Sequence, residues 1–212
     1  MAEPVPAMYR VAMGATTPAV KWWGRLQVAG LEHLPEEGPV ILAGNHDSWW
    51  DSVAVGIAGL PRRQVKALAK ASLWERPGLG RVLDGMGQIP INRGAGDAHA
   101  LERAIQELRL GACIGVFPEG TRARGRELRA RTGLGRLAAA VPETEIRCCA
   151  VTGTSDISRF PYRPLVTVRF FVPRGGGLLR GEAPGELAKR LLDEIREQAP
   201  VVRSVPRRLD RR

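Results

Sequence analysis

The residues of this chain whose types and spacing suit acid–base chemistry lie close together. His46 follows the apolar run Val40-Ile41-Leu42-Ala43 and the dipeptide Gly44-Asn45, and Asp51 stands beyond it with four residues between. The apolar run reads as a buried strand, Asp47-Ser48 as a turn, and the stretch from Asp51 as the start of a helix. His46 would then project from a strand end, with a carboxylate in the first helical turn folding back onto one imidazole nitrogen while the other faces a cleft. Such a pairing fixes the tautomer and makes the imidazole a better base toward a hydroxyl proton. A strand-end histidine by itself is more often structural. Of the three histidines, however, His33 lies in a polar turn before Pro35 and His99 at a polar helix start, which leaves His46 as the candidate base.

Two further segments end in charge. Gly115-Val116-Phe117-Pro118-Glu119-Gly120-Thr121-Arg122 reads as a buried strand closing at Phe117, where Pro118 removes a ladder donor and forces a turn. Gly120 permits close backbone approach, and Glu119 and Arg122 flank it. Gly87-Gln88-Ile89-Pro90-Ile91-Asn92-Arg93 is another strand pattern that delivers an arginine at its C-terminal end. An arginine fork suits a phosphate, although each arginine taken singly reads as a surface ion-pair former.

The elements that must position these residues alternate. Strand patterns occupy 39–43, 65–69, 87–91, 113–117, 146–151 and 165–172, and helical patterns occupy 51–58, 98–110, 134–141 and 185–198. Strands alternating with helices predict an α/β fold, a mostly parallel central sheet flanked by helices, with ligands beyond the C-terminal strand ends. His46, Arg93 and Arg122 would share that edge.

The chain has 212 residues, enough for one domain with a real core, and 32 Lys+Arg against 22 Asp+Glu give a net charge of +10. That surplus favours an anionic partner such as nucleic acid, lipid headgroups or phosphorylated substrates. Six arginines crowd residues 121–136 against Glu127 alone, and five more mark a basic tail at 201–212. Cys113, Cys148 and Cys149 sit in apolar runs without CxxC spacing, as buried thiols of a reducing compartment do.

Residues 1–25 form a separate segment. The charge-free stretch 11–20 is too short for a spanning helix, and Gly14 and Pro18 predict two short helices. With Trp22-Trp23 at headgroup depth and Arg10, Lys21 and Arg25 toward phosphates, it reads as an interfacial, membrane-associating element; packing on the domain is the plainer alternative.

Taken together, the three charged segments resemble the glycerolipid acyltransferase family, whose type member acylates lysophosphatidic acid. The family's NHxxxxD motif is matched by Asn45-His46-Asp47-Ser48-Trp49-Trp50-Asp51, its second motif by residues 87–93, and FPEGTR by residues 117–122 in full. The order and spacing match over roughly residues 25–172. The resemblance implies an α/β acyltransferase domain at 26–200 that works without a covalent acyl-enzyme or bound cofactor. His46 would be the general base, Asp51 its orienting partner, and acyl-CoA or acyl carrier protein the donor. It implies acceptor binding by Lys70, Arg93, Glu119, Gly120, Thr121 and Arg122, with a lysophospholipid as acceptor. With no convincing spanning helix, the chain is expected to attach peripherally to the cytoplasmic face of the cell membrane through its N-terminal segment and basic face, with no nucleic acid as partner.

Two departures bear on the acceptor. Asn92 stands where the family usually has Asp, and the stretch Ile146-Arg147-Cys148-Cys149-Ala150-Val151 lacks the proline of the fourth motif. Glycerol 3-phosphate, another lysophospholipid or a glycolipid hydroxyl therefore stay open as acceptors. Among rivals, Gly133-Leu134-Gly135-Arg136-Leu137-Ala138 fits GxGxxA but follows an arginine-rich segment rather than a strand, so it reads as a helix packed by its glycines. A typical zinc set is excluded by one cleft histidine and unclustered cysteines. A basic nucleic-acid or anionic-membrane binding module would explain the charge, but not three charged strand ends.

Overall fold

The computed structural model describes residues 4–92 and 97–201. Arg93 and the tail from residue 202 onward lie outside the described residues. The strands are β1 (Gln27–Ala29), β2 (Val40–Gly44), β3 (Lys66–Lys70), β4 (Ile89–Ile91), β5 (Cys113–Val116), β6 (Glu145–Thr152) and β7 (Thr167–Phe171). They form one sheet in the order β1-β7-β6-β2-β5-β3-β4. β6, β2, β5, β3 and β4 run parallel, β7 runs antiparallel to β6, and β1 runs parallel to β7. The parallel strands bring their C-terminal ends to one edge.

The helices are α1 (Ala7–Thr17), α2 (Trp50–Gly59), α3 (Leu79–Gly85), α4 (Ala98–Arg109), α5 (Gly133–Ala140) and α6 (Pro184–Gln198). The central strand β2 is buried along its whole length. Successive side chains of a strand point to opposite faces, so β2 feeds two cores. Ile41 and Ala43 pack among Ala104 and Leu108 of α4, Leu134 and Leu137 of α5, and Leu187 and Leu191 of α6. Val40 and Leu42 pack with Ala54, Val55 and Ala58 of α2 on the other face. Each fully buried Val, Leu or Ile among them stabilises the fold by roughly 1.5–3 kcal/mol.

The expected strands and helices are present, with ends moved by one or two residues. Two elements were not foreseen: the three exposed residues of β1 and the short helix α3, whose buried residue is Gly80. The GxGxxA segment opens α5, and a Cβ on Gly135 would lie 2.0 Å from the Pro184 carbonyl oxygen, so this glycine serves the seating of α5 on α6.

The N-terminal segment departs from its expected break. α1 runs straight through Gly14, and at Pro18 the chain continues as a π-helix, Pro18–Trp23. Proline has no N–H for the i→i−4 ladder, and the wider helical turn accommodates that loss without ending the helix. Tyr9 and Met13 are buried with Met86 in a third, smaller cluster, and the Tyr9 hydroxyl reaches the Val65 carbonyl at 3.4 Å. The segment thus packs on the α/β layers. No helix among the described residues is long and apolar enough to cross a membrane. The three cysteines are buried and unpaired, and burial pushes the Cys113 thiol up to about 12.

Candidate active site

At the end of β2 the chain stops behaving as backbone ladder and begins to present side chains. Asn45, fully buried, takes over the hydrogen bonding: its carboxamide donates to the Val151 carbonyl and accepts from the Val151 N–H, each at 2.8 Å. That anchors the next residue, His46, just beyond the sheet. The imidazole lies flat on the Phe117 ring, centroids 4.3 Å apart and planes 7° apart. Its Nδ1 is 3.0 Å from Asp51 Oδ2, and Nε2 is left to the cleft that the ring lines.

Asp51 sits in the first turn of α2, where a carboxylate is favoured by the helix dipole. Its Oδ2 also accepts from the N–H groups of Asp47 (2.6 Å) and Ser48 (2.7 Å), and its Oδ1 accepts from the Thr154 hydroxyl. With four donors converging on a fully buried carboxylate, both oxygens are fixed and the His46 ring is held in one orientation.

The turn after β5 is fastened to the same place. His46 donates its backbone N–H to Glu119 Oε2 at 2.6 Å, and the His46 carbonyl accepts from the Ala123 N–H at 2.7 Å. Gly120 has φ +67, and a Cβ there would press on the Arg131 side chain. Glu119 was expected to meet substrate. Its carboxylate instead turns inward beneath the cleft, buried and engaged by Arg196 of α6. Arg196 also grips both oxygens of Asp47, at 2.9 and 3.0 Å. Burial pushes the Glu119 carboxyl above its usual range, against the pull of Arg196. Sequence reasoning missed Arg196 and Thr154. Arg196 lies in helical register with the buried Ala188 and Leu192, and a cation on that stripe was the available signal. Thr154 offered none.

Above this network opens a cleft of about 1290 Å³. Lys70, at the end of β3, lines it together with Gly120, Thr121 and Arg122. Arg122 lies over the Trp49 ring, 3.9 Å from its centroid. Arg76, Arg124, Arg131 and Arg136 also line the cleft, against Asp97 as the acidic lining residue, so this wall is electropositive. Its lining is also apolar in part, with Leu83 and the clustered Tyr9, Met13 and Met86. Among the described residues no group of His, Cys, Asp and Glu could hold a metal ion. The arrangement therefore combines a buried carboxylate–imidazole pair, a basic wall and a partly apolar lining.

A family model described as Acyltransferase matches residues 25–166. The 1-acyl-sn-glycerol-3-phosphate acyltransferase of Bacillus subtilis is 28% identical over 115 residues, covering 54% of this chain and 57% of the relative. That of Borreliella burgdorferi is 38% identical over 50% of this chain and 42% of its own length. The lyso-ornithine lipid O-acyltransferase of Pseudomonas aeruginosa is 30% identical over 76% of this chain and 60% of its own. The chain thus spans about half the length of the curated relatives it matches. The crystal structure of the 1-acyl-sn-glycerophosphate acyltransferase from Thermotoga maritima shares the fold, with a TM-score of 0.66 at 19% identity over 93% of this chain and 82% of that one.

Proposed function

The chain belongs to the Acyltransferase family, and from that premise we propose that it transfers a fatty acyl group from a thioester to a hydroxyl of a lysophospholipid, lysophosphatidic acid foremost. The observation that carries this reading is the His46–Asp51 contact of 3.0 Å at the floor of a basic cleft. His46 Nε2 removes the proton from the acceptor hydroxyl as its oxygen attacks the thioester carbonyl of acyl-CoA or acyl carrier protein. The tetrahedral species collapses with loss of the thiolate, which takes the proton back from the imidazolium. Asp51 holds the ring in one tautomer and stabilises the imidazolium between those steps. No covalent acyl-enzyme and no bound cofactor enters the scheme.

Lys70, Thr121, Arg122 and the Gly120 backbone would meet the acceptor phosphate, joined by Arg93 from the end of the second motif. The apolar part of the cleft lining suits an acyl chain. A second acceptor class, an amino-acid-headgroup lysolipid, is favoured by the likeness to the lyso-ornithine lipid enzyme, which covers more of this chain than the other two relatives described. Peripheral attachment to the cytoplasmic face of the membrane completes the reading, supported by the excess positive charge and the exposed Trp22.

Replacing His46 by Ala tests the core of it. Acyl transfer to a panel of lysolipids should fall by about 10²–10⁴-fold with circular dichroism unchanged; turnover equal to the parent would overturn the proposal.

A further inference from the structure

Outside the cleft, the connection between β6 and β7, residues 153–166, carries aromatic side chains into solvent. Phe160 is 84% exposed and Tyr162 62%. Isolated exposed apolar groups are ordinary, but this connection is tied by specific contacts to Trp23 and to the backbone of the exposed Trp22. The Trp23 ring stacks on Phe160 with centroids 5.6 Å apart, and its Nε1 donates to the Ile157 carbonyl at 2.9 Å. Arg163 donates to the Trp22 carbonyl at 2.8 Å, and Arg25 donates to the carbonyls of Arg163 and Pro164. The two segments thus form one surface, on which Lys21, Arg25, Arg159 and Arg163 stand against Asp156 as the acid.

Aromatic rings with an apolar body and a polar or wet edge, interleaved with cations, match the boundary between acyl chains and anionic headgroups. The same connection touches the catalytic turn. Thr154 donates to Asp51, and Trp50 Nε1 donates to the Ser158 hydroxyl at 3.1 Å. We propose that residues 157–165, with the π-helix Pro18–Trp23, seat on an anionic phospholipid bilayer, Phe160 and Tyr162 entering at headgroup depth. This rests on the membrane reading above and assigns it a second element, one joined directly to the residues that hold the base. A lysolipid leaving the bilayer would then meet the cleft close to the seat.

The test is a double substitution, Phe160→Ser with Tyr162→Ser, in the full chain. With sedimentation on vesicles of phosphatidylcholine and about one third phosphatidylglycerol, the apparent Kd should rise about tenfold or more. Transfer to a detergent-dispersed acceptor should stay at the parent rate while transfer to a vesicle-borne acceptor falls. Phe160→Trp with Tyr162→Trp should keep the affinity, since indole suits the same depth. A Kd for the serine variant within about twofold of the parent would overturn the proposal. So would loss of self-association in that variant without loss of vesicle binding, which would make the patch a contact between copies. Vesicle binding is read independently of turnover. A parent that binds vesicles through these residues yet acylates no lysolipid would sink the acyl-transfer reading and leave this one standing.

Discussion

On its inner side the turn from His46 to Asp51 is buried and fully partnered, whereas on its outer side Lys70 and Thr121 stand exposed at a wide cleft with Arg122 beside them. The inner side is a closed chain of hydrogen bonds, from Thr154 through Asp51 and His46 to Glu119, Arg196 and Asp47. Among the described residues the buried side-chain polar atom without a partner is Thr144 Oγ1, outside this chain. The outer side is held mainly by long cationic side chains that water can reach. The geometry of the His46–Asp51 pair is set in the folded chain itself, because a buried polar group must be satisfied there. Recognition of an anion needs only charge in roughly the right place, and tolerates mobility.

Substitutions on the two sides should therefore fail in different ways. The largest effect is expected for Asp51→Asn, which turns an amide toward the Asp47 and Ser48 N–H groups. Turnover should fall by about 10²–10⁴-fold, and the melting temperature should fall too, since buried donors left unpaired cost about 1–3 kcal/mol each. A variant with parental turnover would mean that the inner side is structural alone.

Next is Arg196→Ala, which strands two carboxylates and should cost about 3–5 kcal/mol of stability at neutral pH. Arg196→Lys should restore part of the turnover while the alanine variant loses tenfold or so, a split that simple unfolding would not give. The pH dependence has a definite sign. Burial already places the Glu119 carboxyl above its ordinary range, and removing Arg196 raises it further. A carboxyl raised in the folded state favours folding below its unfolded pKa and loses that contribution as pH rises through the folded value. The deficit in Tm of Arg196→Ala should therefore shrink as pH is lowered from about 7 to about 5; thermal melts across that window check it.

On the outer side, Lys70→Ala or Arg122→Ala should raise KM for a phosphate-bearing acceptor by about tenfold, leave kcat within about threefold and leave Tm unchanged. Equal losses with an uncharged acceptor would break the assignment of this wall to the phosphate. The smallest effect is expected for Thr154→Val, which removes one of the four donors to Asp51 and should lower kcat by a few-fold without moving KM.

Much of the inner side was legible because it follows from strand ends. Long apolar runs made β2, β5 and β6 visible, and each had to end in a turn, so His46, Asp51 and the turn after Phe117 could be placed on one edge. What the pattern could not carry was direction. Glu119 sits in a motif read as facing substrate, but its inward turn depends on a guanidinium 77 residues further along the chain. Arg196 in turn shares a helical stripe with the apolar Ala188 and Leu192, but what it grips is seen only once α6 is laid against β2. β1 escaped because its three residues are exposed and show no alternation of burial, and α3 because a seven-residue helix bounded by glycines leaves no periodic signal.

The burial of Tyr9 and Met13 on α1 has a consequence for how this chain can vary. The segment that is the natural candidate for a membrane anchor is also a wall of the chamber beside His46. Trimming it to make a more soluble enzyme would unroof that chamber. Conversely, a substitution at Tyr9 or Met13 alters the space inside the cleft. The cleft wall and the proposed membrane seat thus lie on successive stretches of one continuous helical segment, α1 and the π-helix that follows it.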